Sequence, residues 1–141
     1  MDIVADASAI LCAYFPDELS PRAKKIMLDY ALGRINLCGP RLLILELINA
    51  CLVAARRRRI SEEILLKMAK EVSSLQILWV DIEKEAGTVF SLSRKYQITA
   101  YDAAYIVSAR LKGCEFFTAD ERLYNAVKHD LNFVRLLGEY E

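Results

Sequence analysis

One histidine, His129, stands in the whole chain. A serine or cysteine nucleophile activated by imidazole would have to rest on that residue, near the end of an expected helix, so a hydrolytic triad is discounted. Zinc is disfavoured too. The four cysteines, Cys12, Cys38, Cys51 and Cys114, form no Cys-x-x-Cys pair and have no histidine partners at ligand spacing. All four lie in or beside apolar segments, which reads as reduced, buried thiols and a cytosolic location. No Gly-rich phosphate loop is present, which argues against a nucleotide-driven enzyme. No apolar run approaches the roughly 20 residues that cross a bilayer. The N-terminus lacks a basic segment and its apolar run is broken by Asp6, so neither a membrane span nor a secretory signal is expected. Excess charge is missing as well: 19 basic and 19 acidic residues cancel. Any attraction to nucleic acid must therefore be local.

What is present is apolar substance. The 141 residues are 55% hydrophobic, which suits one domain, residues 1–141, around a sheet covered on both faces. Ile3 to Ala5 reads as the first strand, followed by a short helix from about Ser8 to Phe15, closed by Pro16. Ser20-Pro21 is a helix start, with serine as N-cap, and Gly33 suits the C-terminal cap. Ile35 to Cys38 is a second strand. The helix from Arg41 to Arg58 is apolar in nearly every direction, which predicts burial in a core or at a subunit contact. Ser61-Glu62-Glu63 opens a helix to about Leu75. Gln76 to Val80 reads as a buried strand with Trp79 in the core. A helix over Ile82 to Tyr96 follows, then a capping box at Thr99 and Asp102 opening a helix that Gly113 ends. Strands at Cys114 to Thr118 and Phe133 to Leu136 flank a helix from Glu121 to about His129. Strand–helix alternation of this kind predicts an α/β fold with a parallel sheet.

Four acids stand out against this frame. Asp6 and Asp120 each follow a strand and precede a helix, where ligands of parallel sheets bind. Asp102 lies in the first turn of a helix. Glu46 lies inside an apolar one, with Asn49 on the same face. Helix capping accounts for Asp6, Asp102 and Asp120 tolerably, but not for Glu46, whose burial unpaired is costly. A shared site at the carboxyl edge of the sheet accounts for all four. Crowded carboxylates repel, and an oxygen-preferring divalent cation such as Mg²⁺ or Mn²⁺ relieves that repulsion. Arg56, Arg57, Arg58 and Arg59 end the apolar helix, either as a solvated terminus or as a phosphate-contacting patch.

The chain resembles the PIN-domain family of metal-dependent ribonucleases and, within it, the VapC-type toxins of toxin–antitoxin pairs. The resemblance covers essentially the whole chain. It is carried by Val4-Ala5-Asp6-Ala7-Ser8-Ala9, by Glu46 with Asn49 after Pro40, by Tyr101-Asp102-Ala103-Ala104-Tyr105, and by Thr118-Ala119-Asp120-Glu121-Arg122-Leu123. It implies a three-layer α/β/α fold with a central parallel sheet, and Mg²⁺ or Mn²⁺ at Asp6, Glu46, Asp102 and Asp120. Ser8, Asn49 and Thr118 match the family's polar surround of those acids. Also implied are a homodimer, an RNA substrate, and a small antitoxin protein that blocks the site. The competing expectation is a non-catalytic module of the same fold that grips RNA or protein. Phosphoaspartate enzymes fit less well. Dehalogenase-like phosphatases want Asp-x-Asp, where this chain has Ser8, and receiver domains want adjacent acids and a late lysine.

Overall fold

Ile3, Val4 and Ala5 are almost wholly shielded from solvent, because the strand that carries them is paired on both edges. A computed structural model describes residues 1–15 and 18–141. Strand β1 (Asp2–Ala5) lies between β2 (Asn36–Gly39) and β4 (Glu115–Thr118), with Val4 opposite Cys38 on one side and Phe116 on the other. β3 (Leu78–Trp79) extends the β2 edge and β5 (Val134–Leu136) the β4 edge. All pairs are parallel, in the order β3-β2-β1-β4-β5. The chain thus winds outward from β1 first in one direction and then in the other. The reversal falls between β1 and β4, the place where doubly wound sheets open a ligand crevice.

The helices are α1 (Ala7–Leu11), α2 (Ser20–Ala31), α3 (Leu42–Arg56), α4 (Glu62–Ser74), α5 (Ala86–Tyr96), α6 (Ala100–Lys112) and α7 (Glu121–Val127). Local chemistry explains several of their ends. The Ser61 hydroxyl accepts from the Ile64 N–H at 3.2 Å, and the Thr99 hydroxyl accepts from Asp102 N–H at 3.0 Å, each occupying a donor the first turn leaves unpaired. Gly113 ends α6 at φ +63°, a left-handed conformation that suits glycine. Among the described residues, no helix is long and apolar enough to cross a membrane.

Several local expectations are corrected. Trp79 is not in the core: it is 39% exposed and Leu78 44%. Their strand is two residues long and pairs only with β2, so as an edge strand it buries Ile77 and Val80 at its flanks and leaves its middle half covered. Ser20 is the first helical residue, not the N-cap; its hydroxyl donates to the Phe15 carbonyl at 2.9 Å instead. The segment expected as one helix from Ile82 begins as a 3-10 turn, Glu83–Glu85, and becomes α-helical at Ala86. The first helix ends at Leu11; Pro16, expected to close it, lies outside the described residues. Helix α3 is buried on one row only, Leu43, Leu47, Cys51 and Ala54, while Leu45, Ile48 and Leu52 face outward.

Candidate active site

Asp6 is the first residue past β1, and its own backbone N–H still reaches across to the Phe117 carbonyl of β4 at 3.4 Å. Its side chain is therefore held at the sheet's reversal point, and it is buried. One carboxylate oxygen, Oδ1, accepts from the Ala9 N–H at 2.9 Å and from the Ser8 hydroxyl at 2.6 Å. Oδ2 accepts from the Thr118 hydroxyl at 2.5 Å. Each hydroxyl also receives a backbone N–H from the turn after β4: Ser8 from Ala119 at 3.1 Å, Thr118 from Asp120 at 3.1 Å. Ser8 and Thr118 thus do one job from α1 and from β4. They spend their single protons on Asp6 and use their lone pairs to fix the turn that presents Asp120.

That geometry suits an ionised Asp6, while burial works against ionisation. Loss of water lifts the Asp6 carboxyl from 3.8 to about 6, despite the donors at Ser8, Thr118 and Ala9, and the charge of Asp102 adds to the rise. Asp102 is raised as well, by burial first and then by repulsion from Asp120, against the lowering influence of Thr99 and Arg122. Asp120 caps α7 through Oδ1, which accepts from the Leu123 N–H at 3.1 Å. Glu46, half-buried on α3, is raised by burial and by the charge of Asp102, while the Tyr105 hydroxyl lowers it. Tyr105 donates to Glu46 Oε1 at 2.5 Å.

Asp102 is thus the common neighbour: its charge raises Asp6 and Glu46, and the charge of Asp120 in turn raises Asp102. The four acids do not form a ready-made cage. Among the described residues, no group of three or more His, Cys, Asp or Glu stands close enough to hold one ion. Two clefts carry the other three acids, and Asp6 lines neither. One, about 370 Å³, is lined by Asp102, Asp120, Thr99 and Arg122. The other, about 500 Å³, is lined by Ser8, Glu46, Asn49 and Arg59 among others. Asn49 is exposed in the second cleft. Of the arginine run, Arg59 lines that cleft; all four are exposed.

Tyr105 joins the site without having been expected there. Its place three residues after Asp102, on the same helical face, is the signal available in the sequence; buried, it turns its hydroxyl to Glu46, while Tyr101 is exposed.

Fold and site together define a parallel α/β protein with a buried aspartate at the reversal of its sheet and further acids in the clefts around it. The PIN domain family model matches residues 3–128, and the chain belongs to that family. It is 30% identical over 129 residues to Ribonuclease VapC3 of Pyrobaculum aerophilum, covering 87% of this chain and 92% of that protein. The crystal structure of PAE2754 from Pyrobaculum aerophilum superposes with a TM-score of 0.64 at 24% identity, over 98% of this chain and 93% of that one. That likeness bears on the fold.

Proposed function

We propose that this chain is a Mg²⁺- or Mn²⁺-dependent endoribonuclease, the toxin of a toxin–antitoxin pair, built as one domain over residues 1–141 and acting in the cytosol. The observation that carries the reading is geometric: Asp6, just past the end of β1, is bonded by Ser8 and Thr118, and Thr118 also accepts from the turn that presents Asp120, while the charge of Asp102 bears on both Asp6 and Glu46. Membership of the PIN domain family and similarity to a ribonuclease support it.

The donor set fits the ion. It is all oxygen, as Mg²⁺ and Mn²⁺ prefer. Among the described residues no three acids group closely enough to hold one ion, which is compatible with an ion that keeps several waters and takes one or two carboxylates directly. Asp102 and Asp120, which line the open cleft, are the residues to hold it, with Asp6 and Glu46 shaping the field behind them. Such an ion supplies Lewis acidity at a phosphodiester and lowers the pKa of nearby water. The chain's own part is orientation. Ser8 and Thr118 keep Asp6 ionised and fixed, Tyr105 does the same for Glu46, and Arg122 offers a cation to the substrate phosphate beside Asp102.

Partner-free protein should cleave single-stranded RNA with Mn²⁺ and not with chelator. Asp102→Asn should lower that rate at least about 100-fold, the scale of a lost electrostatic contact in a transition state, with an unchanged circular-dichroism spectrum. That no three-acid group is seen among the described residues also fits one rival, a PIN-fold module that binds RNA or protein without cutting; RNA binding with no Mn²⁺-dependent cleavage would establish it. The outward row Leu45, Ile48 and Leu52 on α3 is more apolar surface than a monomer needs, and it supports a homodimer. The remaining partner is a small antitoxin protein that blocks the acidic clefts.

A further inference from the structure

The arginine run ends α3 in an unusual way. Arg59 N–H bonds to the Ala54 carbonyl at 2.9 Å and Arg58 N–H to the Ala55 carbonyl at 3.1 Å, the paired bonds of a Schellman turn. The residue at the left-handed position of such a turn is usually glycine. Here it is Arg58, at φ +55°. The turn folds Arg59 back along α3, where its guanidinium carbon lies 5.8 Å from the centre of the Phe15 ring.

Arg59 and Phe15 close the far end of the cleft that Ser8 and Glu46 begin. Between them α3 contributes Asn49 and Val53, and α1 contributes Leu11. From Glu46 to the last turn of α3 is about 12 Å along the helix axis, the scale of a single nucleotide. The cleft therefore has a carboxylate end continuous with Asp6 through Ser8, an apolar middle, and a cation stacked on an aromatic face. We propose that it is a nucleotide subsite: one nucleotide flanking the cleaved bond lies in it, its base against Phe15 and the α3 wall, its phosphate on Arg59. This rests on the nuclease reading above. RNA is the occupant that suits all three parts. A base stacks on a ring or a guanidinium plane whatever its sequence, a phosphate complements the guanidinium, and the polymer continues to the acids.

Steady-state cleavage of a short oligoribonucleotide with Mn²⁺ tests the subsite, using the intact chain, Arg59→Ala, Arg59→Lys, Phe15→Leu and the exposed control Arg110→Ala. Arg59→Ala and Phe15→Leu should each raise KM about ten-fold, as expected for a lost stacking or phosphate contact, with kcat little changed. Arg59→Ala should also flatten the log–log salt dependence of KM by about 0.7, the single-strand value for one phosphate contact. Arg59→Lys should keep that slope. An oligonucleotide with one abasic position next to the cleaved bond should lose about ten-fold against the intact chain and nothing further against Phe15→Leu. Phe15→Leu keeps the apolar volume, and the abasic substrate needs no change in the protein, so misfolding cannot imitate the pattern. Cleavage with both variants indistinguishable from Arg110→Ala overturns the subsite alone. No cleavage by the intact chain overturns the nuclease reading and the subsite with it.

Discussion

Asp6→Asn should make the metal-free protein more stable at neutral pH and less stable in acid. In the unfolded chain the carboxyl titrates near 3.8; in the folded chain, burial holds it at about 6. Well below 3.8 both states carry the proton and the site adds no strain, and at pH 4 only a small part of it has appeared. Between the two pKa values the folded state binds more protons than the unfolded one, so stability falls as pH rises, and the loss is complete above about 6. At roughly 1.4 kcal/mol per pH unit, the ionised site costs the folded chain about 3 kcal/mol at pH 7.5. Asparagine has no proton to lose and escapes that decline. It keeps an oxygen for the Ala9 N–H and the Ser8 hydroxyl, but its amide faces the Thr118 hydroxyl, which now needs another acceptor, at about 1 kcal/mol. The variant is therefore expected to gain about 2 kcal/mol at pH 7.5 and lose about 1 kcal/mol at pH 4. Near 3 °C per kcal/mol for a chain of this size, its Tm should be about 6 °C above the parent at pH 7.5 and about 3 °C below it at pH 4. Thermal melts followed by circular dichroism, in chelator, read both numbers. A shift of the same sign and size at both pH values would refute the reasoning and leave Asp6 as a cap whose charge is immaterial.

Two further outcomes follow from the geometry around it. Tyr105→Phe removes the donor to Glu46, whose carboxyl burial already raises. Its folded pKa should climb further, so the variant should lose about 1 kcal/mol at pH 8 and less at about pH 3, below the ordinary glutamate value, where Glu46 is protonated in both states; an equal loss at both pH values would mean that Tyr105 only fills space. Arg58→Gly puts the residue without a Cβ at φ +55° and should raise stability by about 1 kcal/mol, read as a higher urea midpoint at unchanged slope; a lower midpoint would show that the Arg58 side chain holds the turn.

Features set by neighbours along the chain are legible in the amino-acid sequence alone. The alternation that predicts a parallel sheet corresponds to five parallel strands, and the caps at Ser61, Thr99 and Gly113 lie where their chemistry puts them. The acids after β1 and β4 are readable for the same reason. What escapes is set by position in the fold. The four apolar residues Ile77 to Val80 look alike in a central and an edge strand, and only the sheet order says that β3 has one neighbour. Tyr105 could have turned its hydroxyl anywhere along a fully buried face. Arg59 owes its direction to a left-handed residue that nothing in the sequence announces, since arginine, not glycine, occupies it.

Capping and chemistry look like rival explanations for Asp6, and the structure makes them one arrangement. A carboxylate offers about four lone-pair positions. Ala9, Ser8 and Thr118 take three of them, which leaves about one for anything else. Asp6 is thus poorly suited to chelate and well suited to act as a fixed negative charge, tied to α1 by its cap and to β4 by a threonine. Asp120 is in the same position with one oxygen on the Leu123 N–H, but it is exposed and lines the cleft, so its second oxygen remains available. The residues that build the two helix starts therefore also divide the work of the site. On the proposed reading, the more fully bonded acid would set the field and the less bonded one would meet the ligand.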